Sequence, residues 1–472
     1  MFKVPEGYIL IKKEHYEFLI QTIEELTNKV KVLTTRIEEL ESNSKKNSQN
    51  SHKPPSTDVF NKTIKNNRIK GQNKQGAQKG HKGTTLQMTA NPDIIITHGV
   101  KGICSCGADL NKAEIINTIK QQVIDFPIKL IEVTEHQTEV RQCKCGKVHQ
   151  GEKLYHCNVQ YGERIKGFLT YANQYQHIPF ERLQELIEDC FGIKISDGLI
   201  EHTNEQCYQN LHQTEQQIKQ SLIISEVINN DETGIRCEKS LKWIHSCSNN
   251  NFTHYSIQQK RGKEGMDNIG ILSNYKGISI HDRFISYDNY TNCLHSLCNI
   301  HLIRDLKFVN EEMGKGWAGE MITLLVKANN AKKENRLDSY FQREIENWYC
   351  HIISSGFEEE PPEILLIIKK RGRKAKSKSL LLLEAFRDRK EEILRFFYDP
   401  RVPFDNNLAE RDIRMVKLKQ KISGCFRTTH GAEVFCRIRS YISTIRKQGY
   451  PVFDAIYQAI SGKPVQVIPS II

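Results

Sequence analysis

The sequence predicts a multidomain α/β chain, with an N-terminal coiled coil, a small cysteine-bearing domain and a larger α/β domain interrupted by helices. Three features point there. Leu19, Leu26, Leu33 and Leu40 recur every seven residues, the short form C-x-C-G occurs twice, and after Leu222 the apolar period changes from helical to alternating. A length of 472 residues is too great for one core and suggests about three domains of ~100–200 residues.

Residues 1–44 form the first expected domain. Tyr16, Ile23, Val30 and Ile37 interleave with the four leucines, placing leucine at d and mostly β-branched residues at a. That pattern favours a parallel two-stranded zipper. The other reading is one amphipathic helix docked on its own core. Residues 45–90 then read as a flexible basic arm: from Lys45 to Gly83 there are nine lysines and Arg68 against a single acid, Asp58. Next to a dimerising helix, such an arm can neutralise phosphates. Residues 91–160 carry the two cysteine pairs, Cys104 with Cys106 and Cys143 with Cys145, followed by Gly107 and Gly146. Four thiolates from two turns suit a tetrahedral structural Zn²⁺ in a zinc-finger-like domain. His149 or Cys157 can replace one ligand.

Residues 161–222 read as a helical connector of helix-turn-helix form, with Ser196 as a cap. Asp197 and Glu201 in its second helix would repel phosphates, so a structural role is expected for it. From 223 to 430 the larger domain shows four strands, in 222–237, 241–249, 252–260 and 277–284, with a helix near 264–274 before the last. Three antiparallel strands, a helix and a further strand follow the order of a ribonuclease H-like fold. Residues 288–398 look helical, and about 312–395 is read as an insertion containing the basic loop "KKRGRKAKSKS". A helix near 406–419 follows, expected to bury Leu408, Ala409, Ile413, Met415 and Val416. The C-terminal region 431–472 holds an amphipathic helix with Val434, Phe435, Ile438, Tyr441, Ile442 and Ile445 on one face.

Composition narrows the function. A net charge of +12 with pI near 8.9 favours a polyanionic partner. No apolar run approaches the roughly 18 residues of a membrane span. The N-terminal stretch lacks the apolar core of a signal peptide, so a cytoplasmic, nucleoid-associated protein with reduced thiols is expected. Two acids stand at strand ends, Asp231 after "SEVINN" and Asp282 after "GISIH". If those strands are neighbours, both carboxylates emerge at one edge, and Glu410 on the late helix can complete a cage of hard oxygen ligands for Mg²⁺. Two such ions held by three carboxylates suit phosphodiester chemistry. Arg411, Arg414, Lys417, Lys419, Lys421 and Arg427 surround Glu410 in sequence; residues 407–447 contain ten Lys or Arg against three acids, a suitable floor for a DNA backbone. Among rival acids, Glu232 should point to the opposite side of its strand. Asp288 lies in a turn, Asp405 should cap the helix, and Asp412 should face away from Glu410.

The segments "NNDETGIR", "LCNIHLIRDLKF", "VPFDNNLAERDIRMVKLKQKISGCFRT" and "GAEVFCRIRSYISTIRKQG" resemble the DDE transposases of the insertion sequence 66 family. "NSHKPPSTD", "KQGAQKGHKG" and "VQYGERIKGFLTY" extend the resemblance over nearly the whole chain. It implies that Asp231, Asp282 and Glu410 take the three catalytic acid positions, and that Cys298 and His301 match a C-x-x-H pattern following the second acid, with a supporting, architectural or DNA-positioning role. The acids are 51 and 128 residues apart. The first cysteine pair departs from the family's usual C-x-x-C. The resemblance further implies two Mg²⁺ ions (Mn²⁺ substituting), cleavage at the terminal inverted repeats of an insertion sequence, joining of the 3′-hydroxyls to target DNA, a homodimer or higher oligomer, and small accessory proteins in some members. Two other classes remain open to assay: a non-catalytic DNA-binding relic, separable by acid-to-alanine variants, and a ribonuclease H-like nuclease, separable by an RNA–DNA hybrid substrate.

Overall fold

The structure is a computed structural model that describes residues 11–44, 88–112, 114–126, 130–152, 159–360 and 376–468. The basic arm up to residue 87, Cys157 and most of the basic loop (361–375) lie outside the described residues. The chain divides into two compact units, Asn61–Asn158 and the remainder.

Helix α1 (Lys13–Ser44) is a single uninterrupted helix. Its a and d residues are open to solvent in the single chain: Leu19, Ile23, Leu26, Val30 and Leu33 are all at least half exposed. In the smaller unit, β1 (Val140–Gln142) and β2 (Val148–Gln150) form an antiparallel hairpin around the second cysteine pair.

The larger unit continues with α2 (Glu163–Thr170), a π-helical turn over Tyr171–Tyr175, α3 (Phe180–Phe191), α4 (Asp197–Asn210) and α5 (His212–Ile223). Gly192 ends α3 in the left-handed region at φ 68°, where a side chain would strain the backbone. The Ser196 hydroxyl accepts from Leu199 N–H and starts α4. Leu169, Ala172, Leu183, Ile187 and Ile200 join α2, the π-helical turn, α3 and α4 in one small core, while Ile218 and Leu222 of α5 pack into a second.

Strands β3 (Val227–Cys237), β4 (Ser240–Ser248) and β5 (Thr253–Gln258) follow as an antiparallel meander. Helix α6 (Lys263–Ile269) leads to β6 (Ile278–His281) and β7 (Leu294–Leu297), and the sheet order is β5-β4-β3-β6-β7 with β3, β6 and β7 parallel. Two expectations are corrected. Leu222 belongs to the buried face of α5, so β3 starts at Val227. Residues 294–297, expected within a helical stretch, form the fifth strand: Ser296 and Leu297 are buried between β6 and the helices that follow, and so few residues carry no period of their own.

Helices α7 (Asn299–Met313), α8 (Gly316–Lys333), α9 (Ser339–Glu359), α10 (Lys378–Asp388) and α11 (Lys390–Tyr398) form a helical block after β7. Its core, built on Trp317, Leu325, Tyr349, Phe386 and Phe397, is continuous with Ile278, Ile280 and Leu297 of the sheet. The ammonium of Lys332 donates to the carbonyls of Phe396, Asp399 and Val402 at 2.7, 3.0 and 2.6 Å, tying α8 to the segment that leads onward. That segment delivers α12 (Asn407–Ser423), then α13 (Thr429–Lys447) and α14 (Val452–Ile460). The six apolar residues expected on one face of α13 are all buried, against β5 and the C-terminal helix. On α12, Ala409, Ile413 and Val416 are buried, whereas Leu408 and Met415 are only partly so.

Candidate active site

The parallel register sets the site. Val227, Ile228 and Asn229 lie opposite Ile278, Ser279 and Ile280, a constant offset of 51 residues. Asp231 and Asp282 are separated by the same 51, so Asp282 leaves the end of β6 alongside Asp231 on β3. The next strand adds a third position: Cys298 follows β7, and its N–H donates to His281 O at 2.9 Å. Asp231, expected at a strand end, instead lies within β3 (Val227–Cys237), level with the ends of the shorter β6 and β7 where Asp282 and Cys298 emerge.

Both aspartates are anchored locally. Asp231 accepts from Glu232 N–H at 2.9 Å and Asp282 from Phe284 N–H at 2.9 Å. Burial first, then the negative charges of Glu232 and Asp282 and, more weakly, Glu410, hold the Asp231 carboxyl well above the usual carboxylate range. The charges of Asp282 and Glu410 thus reach Asp231, but among the described residues the three acids do not gather into one metal-sized cluster.

The charge of Glu410 reaches Asp231 because α12 is pinned at its start. Asn406, 1% exposed, accepts from Asn229 Nδ2 at 2.8 Å and donates through Nδ2 to Asn230 O at 2.8 Å. Its own N–H donates to Cys298 Sγ at 3.2 Å, and its carbonyl accepts from Glu410 N–H at 3.2 Å. One residue thereby fixes the first turn of α12 to β3 and to the start of α7. Asp405 supports the turn, accepting from Asn407 N–H at 3.0 Å. The Glu410 carboxylate lies 3.7 Å from Arg414 Nη2 through Oε2 and 3.7 Å from His301 Nε2 through Oε1. Oε1 is buried without a hydrogen-bond partner. Cys298, His301 and Glu410 offer ligand atoms all within 4.8 Å of one another.

The rival acids are otherwise engaged. Glu232 Oε1 accepts from Arg261 Nε and Nη2 at 2.9 and 2.8 Å, while Oε2 accepts from Tyr287 O–H at 2.6 Å. Arg261 also lies over the rings of Phe284 (4.0 Å) and Trp243 (5.1 Å). Asp412 faces α13 and accepts from Lys447 at 3.1 Å, and Asp288, in a 3₁₀ turn, pairs with Arg389 at 2.7 Å. Asn406, Arg261 and Tyr287 were not singled out from sequence as supports of the site. The one available signal was Asn406 itself, one turn before Glu410.

Of the residues expected to contact DNA, Arg411, Arg414, Lys421 and Arg427 are exposed. Lys417 donates to Gly234 O at 2.7 Å, and Lys419 is partly buried; burial lowers the pKa of both. In the smaller unit the two cysteine pairs adopt the same turn. Gly107 N–H donates to Cys104 O and Gly146 N–H to Cys143 O, each at 2.8 Å, with both glycines at positive φ (89° and 85°). Among the described residues the four thiols do not gather into one metal-sized cluster.

The sequence pattern of the family described as Transposase IS66 family matches residues 158–434, more than half of the chain. Residues 9–87 match a separate family of unknown function (DUF6444). No curated protein matches the sequence. The matched span contains all five strands of the sheet, the three acids and the helix that carries Glu410, and the chain belongs to the IS66 family of transposases.

Proposed function

We propose that the chain is a DDE-type transposase with a ribonuclease H-like core, cutting the ends of its own element and joining the freed 3′-hydroxyls to target DNA. The observation that carries this reading is the shared 51-residue offset that sets Asp231 beside Asp282 at the sheet edge onto which α12 brings Glu410. The sheet order, an antiparallel meander followed by two parallel strands, supports the ribonuclease H-like assignment.

The residues fit a hard divalent cation. Burial and the charges around it raise the Asp231 carboxyl, and one oxygen of Glu410 is buried without a donor; a cation relieves both. Asp231, Asp282 and Glu410 would hold Mg²⁺ or Mn²⁺, which supplies nucleophile activation and neutralisation of the leaving oxygen. Asn406 and the β3–β6 register hold the acids in place, and Arg411, Arg414, Lys421 and Arg427 grip the backbone of the terminal repeats and target. The a and d face of α1 pairs two protomers, which keeps two element ends together, and the cysteine turns contribute a zinc-finger-like grip on DNA.

The test uses purified chain, Mg²⁺ and a duplex carrying the element's end. Asp231→Ala, Asp282→Ala and Glu410→Ala should each lower cleavage by at least about a hundredfold, since losing a metal carboxylate removes several kcal/mol of transition-state stabilisation. Cleavage unchanged in all three variants would contradict a centre built on these acids, and a parent that binds the element's end without cutting it would make the chain a DNA-binding relic. Cutting of an RNA–DNA hybrid in place of the element's end would make it a nuclease of another class.

A further inference from the structure

Cys298 stands at the N-cap of α7, and the N–H of Asn406 donates to its sulfur at 3.2 Å. Burial first, and the charge of Glu410 with it, holds the Cys298 thiol above its usual range against the pull of neighbouring backbone amides. His301 lies one turn on, and Glu410 reaches the same spot from α12. The side chains of His301 and Glu410 are 18% and 15% exposed, so the spot is open to solvent on one side. Sulfur, imidazole nitrogen and carboxylate oxygen are the donor set of zinc-type cations, whereas magnesium is held by oxygen. At zinc bond lengths, tetrahedral ligands lie roughly 3.3–3.8 Å apart. The His301–Glu410 separation of 3.7 Å already matches, and no separation in the trio exceeds 4.8 Å.

We propose that Cys298, His301 and Glu410 form a second cation site, selective for a thiophilic divalent ion of the zinc class, which shares Glu410 with the oxygen site and silences it when occupied. Three protein ligands leave a fourth position for water, as in open zinc sites. Binding releases the thiol proton of Cys298 to solvent. Glu410 then coordinates from the sulfur side and is withdrawn from Asp231 and Asp282. The binding stands on the geometry of the trio alone; the silencing rests on the catalytic reading above.

The experiment titrates the full-length chain with Co²⁺ and follows thiolate-to-cobalt charge-transfer absorption. The cysteines of the smaller unit contribute a background, so the difference between parent and variant is what counts. Cys298→Ser should lose about one equivalent of absorbing cobalt, and His301→Gln should weaken that equivalent by at least about tenfold. If Cys298→Ser does not fold, His301→Gln, at a partly exposed position, decides alone. Identical cobalt titrations in parent and variants overturn the site, whatever the acid variants do to DNA cleavage. In the end-cleavage assay with Mg²⁺, added Zn²⁺ should inhibit the parent at a concentration at least about tenfold below that needed for His301→Gln. Equal sensitivity would overturn the silencing. Loss of the cobalt difference beside intact dependence on Asp231 would sink this inference and leave the catalytic one standing.

Discussion

Removing the Asn406 side chain would leave Asn230 O without its donor and Asn229 Nδ2 without its acceptor, both inside the protein. Each buried group so orphaned costs about 1–3 kcal/mol. The same change frees the first turn of α12, and a displacement near 1 Å at a catalytic group costs on the order of a hundredfold in rate. Asn406→Ala should therefore melt earlier than the parent and lose about a hundredfold in end cleavage, while Asn406→Asp, which keeps the acceptor for Asn229, should recover part of that loss. Equal cleavage by parent and alanine variant in a folded protein would remove Asn406 from the account. Legibility differed sharply among these residues. Asp282 was readable because it closes an alternating run and Glu410 because cations surround it in sequence, whereas Asp231, read as a strand end, lies inside β3. Asn406 was not, since an asparagine at a helix start looks like any cap. Its real partners are 176 and 177 positions away.

At the scale of elements, α1 presents a and d residues with nothing from its own chain covering them, among the described residues: Tyr16 is 56% and Leu33 61% exposed. A second copy of the helix is the partner that a seven-residue leucine repeat with β-branched a positions fits. Leu26→Lys combined with Leu33→Lys should reduce the mass measured by light scattering from a dimer or larger to that of one chain. A parent already monomeric at micromolar concentration would contradict the zipper. The heptads were legible because long periodic segments carry many repeats of one signal. Strand β7 was hidden for the opposite reason: four residues, Leu294 to Leu297, sit directly before α7, and only β6 and the helical block above make them a strand. Lys332 was similarly silent, because three carbonyl acceptors from the end of α11 and the loop beyond it cannot be foreseen from a lysine on a helix.

For the whole molecule, the first four strands were readable in order, and the 128 residues between Asp282 and Glu410 announced a long helical excursion. What the sequence could not supply was how so long an excursion returns Glu410 to the sheet. The structure's answer is physical. The helices after β7 share one apolar core with β6 and β7, Lys332 ties that block to the departing chain, and Asn406 clamps the next helix to β3 and to Cys298. The sheet edge that carries Asp231 and Asp282 and the helix that carries Glu410 are thus joined by contacts between parts far apart in sequence.

The most direct measurement is joining of pre-cut element ends, bearing free 3′-hydroxyls, to a supercoiled plasmid by the full-length chain with Mg²⁺. Parent protein should produce covalently joined products, and Asp282→Asn, which keeps the shape of the side chain and removes its charge, should lower their yield by at least about a hundredfold. Joining at the parent's rate by Asp282→Asn would contradict a centre built on Asp231, Asp282 and Glu410.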